Sequence, residues 1–248
     1  VSGPAGAADR AQGPVDGASS HGHAHGDVSG GWLRAAVFGA MDGLVTNTAL
    51  VAGVGGGGAA PRAILLAGVA SLVAGAISMA LGEYTSVQTQ NEQLDLEVTR
   101  ERRELQRNPR GELAELVAQL RVRGVEEDLA HEVATQLSRD PETALRLHVV
   151  AELGVTVDDA PSPRTAALSS LATFAVGAVV PLLPYLFGVS LLWVALLCGG
   201  AGLAVAGVVS ARFTRRPWWF SGGRQLLFGA LACAVTYAIG LAIGTTVA

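Results

Sequence analysis

Residues 165–211 read TAALSSLATFAVGAVVPLLPYLFGVSLLWVALLCGGAGLAVAGVVSA, 47 residues without a charge. As one helix this run would be about 70 Å long, twice the ~30 Å hydrocarbon core of a bilayer. It must therefore fold back, and Pro181, Pro184 and Phe187-Gly188 mark the break. The same test applied outward finds more crossings. Residues 35–61 carry one charge, Asp42, residues 63–82 carry none, and residues 225–248 carry none. The expected architecture is an all-α membrane protein with five transmembrane helices, at about 33–56, 63–87, 165–187, 190–211 and 225–247.

Composition agrees. The chain has 248 residues and a mean hydropathy of +0.41. Its apolar fraction including glycine is roughly 63%, against about 45–50% for a soluble domain. This excludes a disordered chain and a disulfide scaffold, and a net charge of −4 offers no basic surface for nucleic acid. Cys198 and Cys233 sit in apolar stretches and read as small hydrophobes. All 17 basic residues are arginine. That bias, with the heavy use of Ala, Gly and Val, suggests a GC-rich bacterial genome and hence a bacterial plasma membrane.

Arg212, Arg215, Arg216 and Arg224 cluster between the fourth and fifth apolar runs, beside Trp218 and Trp219. Positive charge stays cytoplasmic and aromatic residues gather at the interface, which places the N-terminus inside and the C-terminus outside. Residues 1–31 lack apolar runs and read as a disordered tail, with His21, His23 and His25 available for loose metal capture. A polar tail that merely contains histidines fits equally well.

Residues 88–163 differ sharply. Of the 21 acidic residues, 17 lie between Glu83 and Asp159, against nine arginines. Apolar residues recur at helical spacing, and Pro109-Arg110-Gly111, Gly124 and Asp140-Pro141 interrupt them. These signals predict an extension of the second helix followed by three short helices, forming a cytoplasmic Glu-rich domain inserted between transmembrane helices two and three. Residues 32–87 and 164–248 make up the membrane part.

The candidate site residues follow from cost. A carboxylate in an apolar helix costs about 2.5–3.5 kcal/mol to insert and usually faces a pathway or a partner. That singles out Asp42, with Thr46 one turn on. Met79 and Glu83 share a face of the second helix, and a soft and a hard donor suit a borderline divalent ion in transit. Met79 is also ordinary packing material, and Glu83 alone could reach the interface. In the insert, Glu97, Glu101 and Glu104 form a stripe, Glu112 and Glu115 are three apart, and His148 and Glu152 are four apart. Like charges at these spacings repel unless a cation sits among them, and oxygens with one imidazole suit Fe²⁺, Mn²⁺ or Zn²⁺. A solvated acidic face, partly neutralised by Arg100, Arg102 and Arg103, is the competing reading. No pair of Glu-x-x-His motifs is present, so the di-iron oxidase pattern is absent.

Asp42-Gly43-Leu44-Val45-Thr46-Asn47, running on to Leu50-Val51-Ala52-Gly53-Val54, resembles the first helix of the vacuolar iron transporter family. Ser78-Met79-Ala80-Leu81-Gly82-Glu83-Tyr84-Thr85-Ser86 resembles its second, and the order of parts over residues 32–248 matches. The resemblance implies export of ferrous iron from the cytoplasm in exchange for protons, by a homodimer whose pore lies between the two first helices. Asp42 and Met79 match the family's pore-lining positions, and Glu101, Glu104, Glu112, Glu115 and Glu152 match its cytoplasmic metal site. Where the family carries two methionines before the last glutamate, this chain has His148 and Val149, which predicts weaker selectivity against Zn²⁺. Small residues at Ala36, Gly39 and Gly43 would permit close helix approach in such a dimer.

The partners expected are divalent ions, protons, lipid and a second copy. No tightly bound cofactor is expected, with Fe²⁺ the cargo and Mn²⁺ and Zn²⁺ as alternatives. A membrane-anchored metal sensor or buffer would use the insert equally well, but would leave Asp42 without a purpose. A membrane enzyme is disfavoured, because no nucleophile–base pair or phosphate loop is present; Gly55 to Gly58 reads as a turn.

Overall fold

The computed structural model describes residues 31–154, 160–214 and 216–247; the expected tail with His21, His23 and His25 lies outside them. Among the described residues every regular element is helical: α1 (Gly31–Gly56), α2 (Pro61–Arg107), α3 (Pro109–Val122), α4 (Glu127–Leu137), α5 (Pro141–Leu153), α6 (Pro163–Val179), a 3₁₀ turn (Val180–Leu182), α7 (Leu183–Leu186), α8 (Leu192–Thr214) and α9 (Trp218–Val247). Five stretches are long and apolar enough to cross a membrane: α1, α2, α6 continuing through α7, α8 and α9.

α1 is the central helix, with α2, α6, α8 and α9 around it. Its tightest neighbour is α6, and glycine is the reason. A Cβ on Gly43 would run into the Phe174 carbonyl, and one on Gly39 would lie 2.6 Å from Thr173 Oγ1. A Cβ on Gly177 would strike the Ala40 carbonyl from the other side. At Gly43 and Gly177 the two backbones therefore touch with no side chain between them, as small residues allow in apolar helix pairs. This corrects an expectation: Gly39 and Gly43 are buried against α6 of the same chain and are not free to meet a second copy.

The proline break also has a polar brace. Asn47 of α1 is fully buried. Its Nδ2 donates to the Ala178 carbonyl at 2.7 Å, just before the 3₁₀ turn, and to the Gly68 carbonyl of α2 at 3.2 Å. Val51, Ile64, Leu182, Tyr185 and Ala195 close the apolar core around the α6–α7 bend.

α2 is one unbroken helix of 47 residues, about 70 Å long. Its apolar half can cross a bilayer and its charged half runs on beyond, so no helix boundary falls at residue 87. α3, α4 and α5, which fall in the stretch expected to form the insert, follow that extension, and α3 and α5 pack against it. Asn108 caps α3, its side chain accepting from Gly111 N, and Asp140 caps α5, accepting from Thr143 N at 3.0 Å. Each is followed by proline at the first helical position, where a missing N–H costs nothing. The insert's core is thin, built from Leu116, Ala130, Ala134, Ala144, Leu145 and Val149.

The start of the last helix is a second correction. α9 begins at Trp218, not at residue 225, so Arg224 lies within the helix rather than in the turn before it. A charge marks where an apolar run stops, but an arginine does not end a helix, and it is Pro217 that sets the start. Trp218 and Trp219 are exposed on its first turn.

Candidate metal site and transport path

In the insert, α2, α3 and α5 converge on one side chain. His148 is fully buried, and its Nδ1 lies 3.2 Å from Glu101 Oε1, 3.6 Å from Glu112 Oε2 and 3.8 Å from Glu152 Oε1. None of these approaches is aligned as a hydrogen bond, and both ring nitrogens and Glu101 Oε1 lack a partner. Buried polar atoms are rarely left so. Donors bound about 2.1 Å from a tetrahedral or octahedral ion stand about 3.0–3.5 Å from one another, close to the spacing found here. One donor atom from each of Glu101, His148 and Glu152 lies within 4.8 Å of the other two. Three carboxylates and an imidazole, with no sulfur, form a borderline-to-hard donor set.

Electrostatics agrees with an unneutralised cluster. Glu101 lies beyond the apolar half of α2. Burial, and then the charges of Glu152, Glu112, Glu104 and Glu115, push its carboxyl up to about 7. Burial and the neighbouring Glu115 likewise raise Glu152.

The spacing-based stripe divides. Glu101 and Glu112 turn inward and are buried, while Glu104 turns out to Arg100, whose Nε donates at 3.1 Å, with Glu97 on the far side of the same guanidinium. Arg102 pairs with Glu142 at the start of α5. The arginines thus neutralise the outer acids, and the expected solvated face exists beside a buried cluster. Glu115 is itself exposed, and its charge is one of the causes that raise Glu152.

In the apolar half, Asp42 is half-buried and accepts from Thr46 Oγ1 at 3.2 Å. Thr46 also lines an apolar groove of about 970 Å³ between α1 and α9, whose floor includes Gly53, Gly57, Gly240 and Gly244. Met79 packs at the edge of the Ala76, Phe174 and Ala178 cluster. Glu83, one turn on, ion-pairs with Arg34 of α1.

Arg34 was not legible as Glu83's partner, since 49 residues separate them. Nor was Met41, whose Sδ accepts from Gln225 Nε2 of α9 at 2.9 Å. Asn47 could have been singled out, as a carboxamide in an otherwise apolar run.

The model of the VIT family matches residues 33–241, most of the chain. The chain belongs to the VIT family. This VIT-family chain is 38% identical to the vacuolar iron transporter of Acanthamoeba castellanii over 222 residues, covering 85% of this chain and 78% of that one. It is 33% identical to vacuolar iron transporter 1 of rice over 239 residues, 93% of this chain and 94% of that one. A rice vacuolar iron transporter homolog 1 is 36% identical over 214 residues, covering 84% and 72%. These relatives are eukaryotic and named for the vacuole, so they lend no support to the bacterial plasma membrane expected from composition.

Proposed function

We propose that this protein moves ferrous iron across a membrane, out of the cytoplasm and against a proton flow. The insert is its capture site and α1 and α2 line its path. The observation that carries the proposal is His148. It is a buried imidazole with both nitrogens unpartnered among three glutamates, and α2, which supplies one of them, also carries Met79 through the apolar layer. The iron transporters among its relatives support the choice of cargo.

The acidic insert raises the local concentration of cations at the inner mouth. Glu101, Glu112, His148 and Glu152 bind the ion, with Glu115 adding negative charge beside Glu152. Asp42 and Met79 then replace part of its hydration shell inside the membrane. Proton coupling follows because a desolvated carboxylate takes either a proton or a metal, so the two compete for the same oxygens. A homodimer with its pore between two copies of α1 suits the half-buried Asp42 and the exposed Thr46, a polar pair its own chain leaves partly uncovered. His148 favours a cargo range that includes Zn²⁺ and Mn²⁺, because an imidazole discriminates among borderline ions less sharply than a thioether pair.

The test is Fe²⁺ uptake into proteoliposomes with an inward-acidic gradient, for wild type and Asp42→Asn. Gradient-driven uptake abolished in a folded Asp42→Asn variant supports the path. Full proton-dependent transport by that variant removes Asp42 from it. Absence of uptake by folded wild type for Fe²⁺, Mn²⁺ and Zn²⁺ favours a metal sensor or buffer.

A further inference from the structure

We propose that Arg34 is a tethered cation at the inner mouth, occupying Glu83 until the cargo ion displaces it. Glu83 is then a waystation between the insert and Asp42. The inference rests on the transport reading above and assigns it a residue that reading does not use.

The pair is lopsided. The Glu83 side chain is 10% exposed, while that of Arg34 is 61% exposed. The guanidinium can swing into water at little cost, because it stays solvated along most of its length. The carboxylate cannot leave, and a buried carboxylate without a counter-charge is strongly disfavoured. Glu83 therefore needs a counter-charge whenever it is ionised, and Arg34 is one that can be exchanged. Below the pair, Ala35, Val87 and Ala166 pack α1, α2 and α6 together.

Position gives the exchange its meaning. No acidic residue lies between Asp42 and Glu83 in the sequence, so Glu83 is the last carboxylate on α2 before its charge-free run. Met79 is one turn further in, and Glu101 of the buried cluster is about 27 Å back along the same helix. Arg34 stands two turns before Asp42 on α1, about 12 Å away. In height along these helices, Glu83 stands between the insert and Asp42. Arg34 keeps that carboxylate neutralised when no ion is present and competes with the ion when one arrives.

The experiment uses the full-length protein and two measurements. In Fe²⁺ uptake, Arg34→Gln should lower KM at least threefold and also lower kcat, since the ion binds without a competitor and leaves slowly. Glu83→Gln should raise KM. The charge-reversed double variant, Arg34→Glu with Glu83→Arg, should recover thermal stability but not transport. In thermal unfolding under anoxic buffer, with the insert silenced by Glu101→Gln and Glu152→Gln, Arg34→Gln should lower Tm. Added Fe²⁺ should then restore more of it than Fe²⁺ adds to the parent.

A purely structural pair gives the opposite pattern: a Tm loss that Fe²⁺ does not restore, and an unchanged KM in whatever protein remains folded. That result overturns the inference and leaves the transport reading intact. If wild type takes up no Fe²⁺, the transport reading fails, and the Fe²⁺-dependent recovery of Tm still decides whether Arg34 guards a cation site at Glu83.

Discussion

Metal capture by the insert should be steeply pH-dependent, and Glu101 sets the scale. Its carboxyl is pushed from 4.5 to about 7, first by burial and then by Glu152, Glu112, Glu104 and Glu115. A cation binding there must displace the proton. With one proton displaced from a group at about 7, the apparent Kd should be about 30-fold weaker at pH 5.5 than at pH 8, and nearly flat above 8. The raised carboxyl of Glu152 steepens the fall.

Stability of the metal-free protein moves the other way. Between 4.5 and about 7 the folded state holds more protons at Glu101 than the unfolded state does. Raising the pH through that window therefore removes stability, and metal returns it. The assay is calorimetric titration of the full-length protein with Fe²⁺ in anoxic buffers of different ionisation enthalpy, which counts protons released. Glu101→Gln is run beside wild type, so that the difference isolates this carboxyl. A wild-type Kd constant within twofold from pH 5.5 to 8, or an unaltered slope in Glu101→Gln, would refute the reasoning.

Two further outcomes concern the membrane half. Gly43→Val places a branched side chain against the Phe174 carbonyl and within 3.0 Å of Ala178 N, so α6 must retreat. A loss of about 1–3 kcal/mol, typical of overpacking, should appear as a lower Tm in detergent together with reduced uptake. Asn47→Leu removes the donors to Gly68 and Ala178, each worth about 0.6–1 kcal/mol between membrane helices. It should lower Tm and make the proline bend more open to proteolysis or hydrogen exchange, and unchanged exchange at residues 178–182 would argue against the brace.

Much of this protein is written one helix at a time. Charge-free runs too long for a single crossing, with prolines between them, dictate five apolar helices, because lipid supplies no partner for unpaired backbone groups. Apolar periodicity and the Asp140-Pro141 cap likewise dictate the helices of the insert, since capping and periodicity act within a few residues. The carboxylate of Asp42 stood out because its cost is local to its own helix.

What tertiary structure alone decided is which side chains meet. Glu101 and Glu104 are three apart on one helix, yet one is buried beside His148 and the other pairs with Arg100 in solvent. Spacing fixes a shared face only to within a wide arc, and the crossing of α3 and α5 over α2 decides which part of that arc is covered. For the same reason Gly39 and Gly43, equally suited to a second copy, were taken by α6, and Arg34 found Glu83 across 49 residues. Local sequence sets the cost of each residue in isolation; the angle at which helices cross sets who shares that cost.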